Sequence, residues 1–288
     1  MQRDDYIVYL QNDKTMKTIL TPTDFSENAL VATKYAIELA KQTGQAVRLF
    51  HSYIKLYSGY DGHTNADKLI ALAEEKARKS MEELLAQLQN SYPEVDITGH
   101  CHSGYAAESI LREIADERPS MIVMGSKGAT NAADKLLGST TYDVISRTPV
   151  PILAIPGDTE SCALDNIGFF TTYLEADINA LLRFRHIFGS DRNLQMIHLY
   201  TTAQEPVAEG EKWKRKIQSE FPGEPFSFRT ARVTGVNAEV ISQIAQKDNF
   251  DLLVFTRVHK TLLTKMLSKS LTWDVAKHIS TPTLFIHG

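Results

Sequence analysis

The feature that most constrains this chain is that it repeats itself. Residues 123–157 (VMGSKGATNAADKLLGSTTYDVISRTPVPILAIPG) align without a gap on residues 254–288 (VFTRVHKTLLTKMLSKSLTWDVAKHISTPTLFIHG), at an offset of 131. Asp143 falls on Asp274, Val144 on Val275, Pro151 on Pro282 and Leu153 on Leu284. The same offset carries Gly104, Ala107, Glu108 and Ile110 onto Gly235, Ala238, Glu239 and Ile241. Further upstream the match loosens, and Phe50-His51-Ser52-Tyr53 resembles Ile197-His198-Leu199-Tyr200. The 288 residues therefore read as two copies of one domain of about 130–140 residues. The expected division is an extension over 1–15, a first domain over 16–157 and a second over 164–288. The first copy carries an extra stretch near 54–70.

Within a copy, strands and helices alternate. Thr18 to Thr21 is a short apolar strand ending at a Pro turn, and Ser26 caps a helix that runs to Thr43, with Gly44 as its stop. Ala46 to His51 is a second strand. Over 66–90, Ile70, Ala73, Ala77, Leu84 and Leu88 recur at helical spacing. Val95 to Cys101, Met121 to Met124 and Ile152 to Ile155 are further strands, separated by helices over Ala106–Glu117 and Ser139–Arg147. Met121-Ile122-Val123-Met124 is a continuous apolar run, as suits a strand covered on both faces. The pattern predicts a parallel α/β sheet in each copy.

Composition matters for what it excludes. With 43% hydrophobic residues there is enough apolar side chain to bury a core, so bulk disorder is excluded. Cys101 and Cys162 are the two cysteines. They make neither a disulfide framework nor a cysteine zinc site, and they fit a reducing interior. No apolar run approaches the ~20 residues of a membrane span, and Met1-Gln2-Arg3-Asp4-Asp5 lacks a signal peptide's layout. The expected location is cytoplasmic, with no membrane partner. A net charge of −4, split as −5 over 1–158 and +1 over 159–288, argues against a nucleic-acid partner.

Open parallel sheets bind ligands beyond the carboxyl ends of their strands. Two strand ends in the first copy stand out. One is Thr21-Pro22-Thr23-Asp24-Phe25-Ser26. The other is Gly125-Ser126-Lys127-Gly128, followed by Gly138-Ser139-Thr140. Glycines let backbone N–H groups approach a phosphate. Gly138-Ser139-Thr140 opens a helix whose free N–H groups and dipole form an anion site. Singly, each glycine is as well explained by a chain turn and Ser139 by a helix cap. Together, and with Asp24 beside the first strand, they point to phosphate binding.

The spacing G-x-x-G, nine residues, then G-S, after a strand, resembles the nucleotide motif of universal stress proteins. Ile19-Leu20-Thr21-Pro22-Thr23-Asp24-Phe25-Ser26 is similar to that family's opening. The resemblance is strong over about 16–157 and extends weakly to 288. It implies two tandem Rossmann-like domains of the adenine nucleotide alpha hydrolase-like type. Each would hold a five-stranded parallel sheet of order 3-2-1-4-5, with the winding switch between strands 1 and 4. It further implies ATP, or AMP or ADP, as the ligand. Pro22, Thr23 and Asp24 would line the nucleoside end, and Ser52, just beyond the second strand, would offer backbone polar groups to adenine. Met124 and Gly125 would contact ribose and the first phosphates. Gly128, Gly138, Ser139 and Thr140 would hold the phosphate chain. A bridging magnesium ion is compatible with this, though no acidic cluster is dedicated to it. The family pairs through its last strand, which implies an intrachain pseudo-dimer and leaves a homodimer open.

The second copy departs from the motif. Gly125, Gly128 and Gly138 become Thr256, His259 and Lys269, Ser139 is kept as Ser270, and Thr172 replaces Asp24. Side chains there are expected to strain a positive-φ turn and fill the space of the phosphates. Arg257, Lys260, Lys265 and Lys269 keep the region basic, as a solvated face does. The second copy is expected to bind no nucleotide. His100-Cys101-His102 alternates across a strand, so the three do not grip one metal. Asp177, His186 and Ser190 are expected on a helix surface. No P-loop, nucleophile elbow or positioned carboxylate pair occurs. Binding is therefore expected rather than turnover, with a slow ATPase or a ligand-free interaction scaffold as alternatives.

Overall fold

The structure, a computed structural model, describes residues 18–55, 63–126, 139–257, 275 and 280–288. The first copy supplies β1 (Thr18–Pro22), α1 (Glu27–Thr43), β2 (Ala46–Tyr53), α2 (His63–Ser91), β3 (Ile97–Ser103), α3 (Ala106–Glu117), β4 (Met121–Gly125), α4 (Ser139–Arg147) and β5 (Ile152–Ile155). The second supplies β6 (Ile167–Phe170), α5 (Glu175–Phe188), β7 (Leu194–Tyr200), α6 (Val207–Glu220), β8 (Phe226–Arg232), α7 (Ala238–Lys247), β9 (Leu252–Arg257) and β10 (Thr283–His287). The extension over 1–15 lies outside the described residues.

The strands form one ten-stranded sheet of order β3-β2-β1-β4-β5-β10-β9-β6-β7-β8. Read inward from each outer edge, each half has the order 3-2-1-4-5. Pairing within each half is parallel. The halves join through β5 and β10, which run antiparallel with Leu153 opposite Leu284, flanked by Ala154–Thr283 and Ile152–Phe285. Leu153 and Leu284 are the same position of the repeat, so a local two-fold passes between them. This is the self-complementary geometry of a symmetric dimer, made within one chain.

Side chains alternate along each strand, so the sheet has two apolar faces. Ile19, Val47, Ile97, Met121 and Leu153 face the layer of α1 and α2, continued in the second half by Phe169, Met196 and Leu284 against α5 and α6. Leu20, Phe50, Ile122, Ile152 and Phe285 face the layer of α3, α4 and α7. Leu153 and Leu284 are fully buried, so the core continues across the junction.

The helix limits follow local chemistry. Ser26, extended at φ −72 and ψ 163, accepts the Ala29 N–H through its hydroxyl, and Gly44 closes α1 at φ 67. The predicted helix over 66–90 extends from His63 to Ser91. The third strand starts two residues later than predicted and runs on to Ser103. The second runs on to Tyr53, because β3 pairs with it out to Tyr53–Ser103. Ser52 is therefore inside β2, opposite His102. This corrects the expectation that it lies beyond the strand.

Candidate functional site

The winding switch of the first half lies between β1 and β4, and the sheet register brings the two unusual strand ends together there. Pro22 pairs with Phe50 of β2, Leu20 with Ile122 of β4, and Gly125 with Ile155 of β5. Pro22, Thr23 and Met124 are buried, Gly125 is half-buried and Asp24 is exposed. Ser126, just past β4, is 5% exposed and its N–H donates to the Ile155 carbonyl (2.8 Å). The Thr141 hydroxyl donates to the Gly125 carbonyl (3.0 Å). That bond holds the first turn of α4 at the carboxyl end of β4. The unpaired N–H groups and positive dipole end of α4, which opens with Ser139 and Thr140, are thereby set at the switch. Gly128 and Gly138 lie outside the described residues.

Gly125 has regular strand geometry. Among the described residues the glycines at positive φ are Gly44, Gly104, Gly189 and Gly223. The expected positive-φ strain therefore does not apply at Gly125. Its backbone is that of a strand residue, a conformation any residue adopts.

The turn from β1 into α1 is built tightly. The Thr23 N–H donates to the Phe50 carbonyl (2.8 Å). The Phe25 N–H donates to Thr23 Oγ1 (3.0 Å), and the Ser26 N–H and hydroxyl both donate to Asp24 Oδ1 (3.0 and 2.5 Å). Phe25 sits at φ 62, left-handed for a residue with a side chain. His51 of β2 closes the turn. Its Nδ1 lies 2.8 Å from the Thr23 carbonyl, so that nitrogen donates, and its ring lies against Phe25 with centroids 4.3 Å apart. Burial pushes the imidazole's proton affinity down, while the Thr23 carbonyl and the Asp24 charge partly restore it.

The second half repeats this turn with different contents. The Thr171 N–H donates to the Ile197 carbonyl (2.8 Å), Tyr173 stands at φ 63, and its N–H donates to Thr171 Oγ1 (3.1 Å). His198 Nδ1 meets the Thr171 carbonyl at 3.0 Å, and its ring stacks on Tyr173 at 3.9 Å. The repeated turn thus sets Thr172 where Asp24 stands.

Asp177 corrects an expectation. It is not on a helix surface: it is fully buried, in the first turn of α5 where the first half has Ala29. Its Oδ2 accepts from the Thr171 hydroxyl (2.8 Å), the Thr172 N–H (2.9 Å) and the Leu174 N–H (3.3 Å). Burial pushes its carboxyl above the ordinary range, against the opposing pull of Thr256, Thr171 and the two N–H groups. The Thr256 hydroxyl is near enough for that pull, yet neither its Oγ1 nor Asp177 Oδ1 makes a hydrogen bond of good geometry. Thr256 is the counterpart of Gly125, so this carboxylate lies at the second half's own switch. Asp177 thereby satisfies N–H groups of the turn between β6 and α5 from within the chain. His186 is exposed on α5, as expected, whereas Ser190 is exposed but lies past the end of the helix. His259 and Lys269 lie outside the described residues, as do Lys260 and Lys265. Arg257 is committed to structure, donating to the Thr148 carbonyl of the first half (3.2 Å).

His100 and His102 point away from Cys101, as alternation requires. His100 meets Glu113 (3.2 Å) while the Cys101 thiol donates to the Ala77 carbonyl (3.4 Å). No metal-holding group of three His, Cys, Asp or Glu occurs among the described residues. None of the described helices is long and apolar enough to cross a membrane. His51, Phe25, Ser126 and Thr141 were not singled out by the motif, although the recurrence of His51 as His198 is visible in the repeat.

At the first-half switch an exposed Asp24, buried Pro22 and Met124, and the first turn of α4 thus stand together. The universal stress protein family model matches residues 15–156 and 188–287. Universal stress protein MJ0577 of Methanocaldococcus jannaschii is 29% identical over 157 residues, 48% of this chain and 94% of that protein. A universal stress protein structure from Archaeoglobus fulgidus covers 94% of this chain and 98% of its own, with TM-score 0.72 at 17% identity. A second structure, a putative universal stress protein from Pseudomonas aeruginosa, covers 97% and 95%, with TM-score 0.58 at 14% identity. The stretch between the two family matches, 157–187, contains Asp177.

Proposed function

Because this chain belongs to the universal stress protein family, we propose that its first half binds one ATP or related adenine nucleotide, and that the chain acts as a nucleotide-responsive stress or signalling module. The supporting observation is the Thr141–Gly125 bond, which aims the start of α4 at the β1/β4 switch. Asp24, with Pro22 and Thr23, takes the nucleoside end. Ser52 offers backbone groups to adenine from within β2. Met124 and Gly125 contact ribose and the first phosphates, and Gly128, Gly138, Ser139 and Thr140 hold the phosphate chain. A magnesium ion, where present, is carried by the phosphates. The second half is a structural and partner-binding domain, with the division kept at 16–157 and 164–288. The reading assigns binding and no catalytic residue. Acid release and chromatography of the small molecule carried by the purified protein, followed by calorimetric titration with ATP, tests it. An adenine nucleotide at one per chain is expected. A protein that carries none and gives no heat with ATP overturns the reading.

A further inference from the structure

Two histidines hold the same bond in the two halves, in surroundings that otherwise differ. Each lies on the strand next to the first of its half, donates through Nδ1 to the carbonyl of the threonine just past that first strand, and packs on an aromatic residue at positive φ. In the second half the turn has another support. Asp177 takes the hydroxyl of Thr171 and the N–H groups of Thr172 and Leu174 from below. In the first half that position is Ala29, which has no polar side chain, so beside the backbone bond from Thr23 to Phe50 the side-chain tie from β2 falls to His51. The turn it ties is the one that presents Asp24. We infer that His51 is a positioning residue for the nucleotide site: its Nδ1–H latches the Thr23 carbonyl, keeps Phe25 left-handed and so fixes where the Asp24 carboxylate stands. The inference rests on the nucleotide reading above.

The physical basis is strain. A phenylalanine at φ 62 lies in a sparsely populated conformation and stays there only when its surroundings over-determine it. Without the latch the Thr23 carbonyl loses its partner, Phe25 loses the ring beneath it, and the turn relaxes toward negative φ. Asp24, between the two, moves with it. Ser52, the next residue of β2, stays in register through its pairing with His102, so the loss falls on the Asp24 side of the site.

The test uses the full chain, ATP as probe, calorimetry for affinity and urea unfolding for stability. Asparagine carries an N–H where histidine has Nδ1, whereas glutamine places its N–H one atom further, where Nε2 lies. His51→Leu and His51→Gln are expected to weaken ATP binding about tenfold, the scale of one net hydrogen bond or of one relaxed left-handed residue. His51→Asn is expected to restore affinity to within about threefold. His198→Leu serves as the control, lowering the urea midpoint as His51→Leu does while leaving ATP affinity unchanged. A purely structural role moves both histidines' stability and neither affinity, which overturns the inference. So does a wild-type affinity in His51→Leu, or in His51→Gln should the leucine variant not fold, or failure of His51→Asn to rescue. A wild-type protein that binds no ATP overturns the nucleotide reading itself, and this role with it.

Discussion

Replacing Asp177 separates two roles of one buried carboxylate, as acceptor and as charge. In Asp177→Ala the Thr171 hydroxyl and Thr172 N–H lose acceptors at 2.8 and 2.9 Å, and the Leu174 N–H a weaker one at 3.3 Å. Each buried donor left unpaired costs about 1–3 kcal/mol. Two good bonds and one long one therefore suggest a gross loss of about 3–6 kcal/mol. Offsetting this, the variant no longer buries a charge, and alanine favours the helix by about 0.5 kcal/mol. The expected net loss at pH 7 is about 2–3 kcal/mol. Asp177→Asn keeps a carbonyl oxygen for the same donors and removes the charge, so it should lie within about 1 kcal/mol of wild type.

The pH dependence isolates the charge. The folded-state value of Asp177 is raised by burial above the ordinary 3.8. The native protein therefore keeps this proton to higher pH than the unfolded chain does. Stability from this group is full below 3.8 and falls as pH rises toward the folded value, the reverse of a salt-bridged aspartate. The stability of Asp177→Asn relative to wild type should climb with pH across that window and then level off. Urea unfolding of the three proteins at steps from pH 4.5 to 8, read as midpoint and slope, measures it. A difference that is flat with pH, or an asparagine variant as unstable as alanine, refutes the argument.

Other outcomes follow from the site and the junction. Gly128→Glu should abolish ATP binding while the matched His259→Glu leaves it intact, and calorimetry should count one site; two equivalent sites would move the assignment off the first half. Asp24→Ala removes the acceptor of the Ser26 N–H and hydroxyl and should weaken ATP binding by about tenfold or more, read by the same titration. Leu284→Ala, at a fully buried position opposite Leu153, should cost about 2–5 kcal/mol in urea unfolding. A fragment of residues 16–157 should self-associate through β5, detectable by sedimentation; a monodisperse monomer at high concentration would contradict the pairing argument.

Much of this architecture is legible in the residues, for identifiable reasons. The limits of α3 and α4 coincide with prediction because apolar spacing and flanking residues act locally. β4 reads as a buried strand because Met121 to Met124 is apolar throughout. The Leu153–Leu284 pairing is foreshadowed by a repeat offset that maps one residue onto the other. What escapes depends on how the chain folds back on itself rather than on local pattern. Ser52 reads as a strand end because His51-Ser52-Tyr53 is polar at its centre, and only β3 shows that pairing continues. Asp177 follows Glu175 in a short acidic stretch, which suits a helix surface, yet its position in the first turn of α5 faces the underside of the β6 turn. His51 is visible as a recurring residue, but its role requires the Thr23 carbonyl, 28 residues away.

The antiparallel junction also has a consequence for how the chain is made. β5 is complete once synthesis passes Ile155, whereas β10 begins only at Thr283. At roughly 5–20 residues per second the interval is about 6–25 s, longer than most single domains need to fold. During that time the first half can be finished apart from one flank, an Ile-Leu-Ala-Ile strand wholly buried in the mature protein and open to whatever strand arrives first. Tethering ensures that the intended arrival comes from the same polypeptide, at a local concentration that encounters between separate chains rarely reach. On a crowded polysome the neighbouring nascent chain offers the same strand. The interval between β5 and β10 is thus the period in which a single folded chain and an exchanged pair compete.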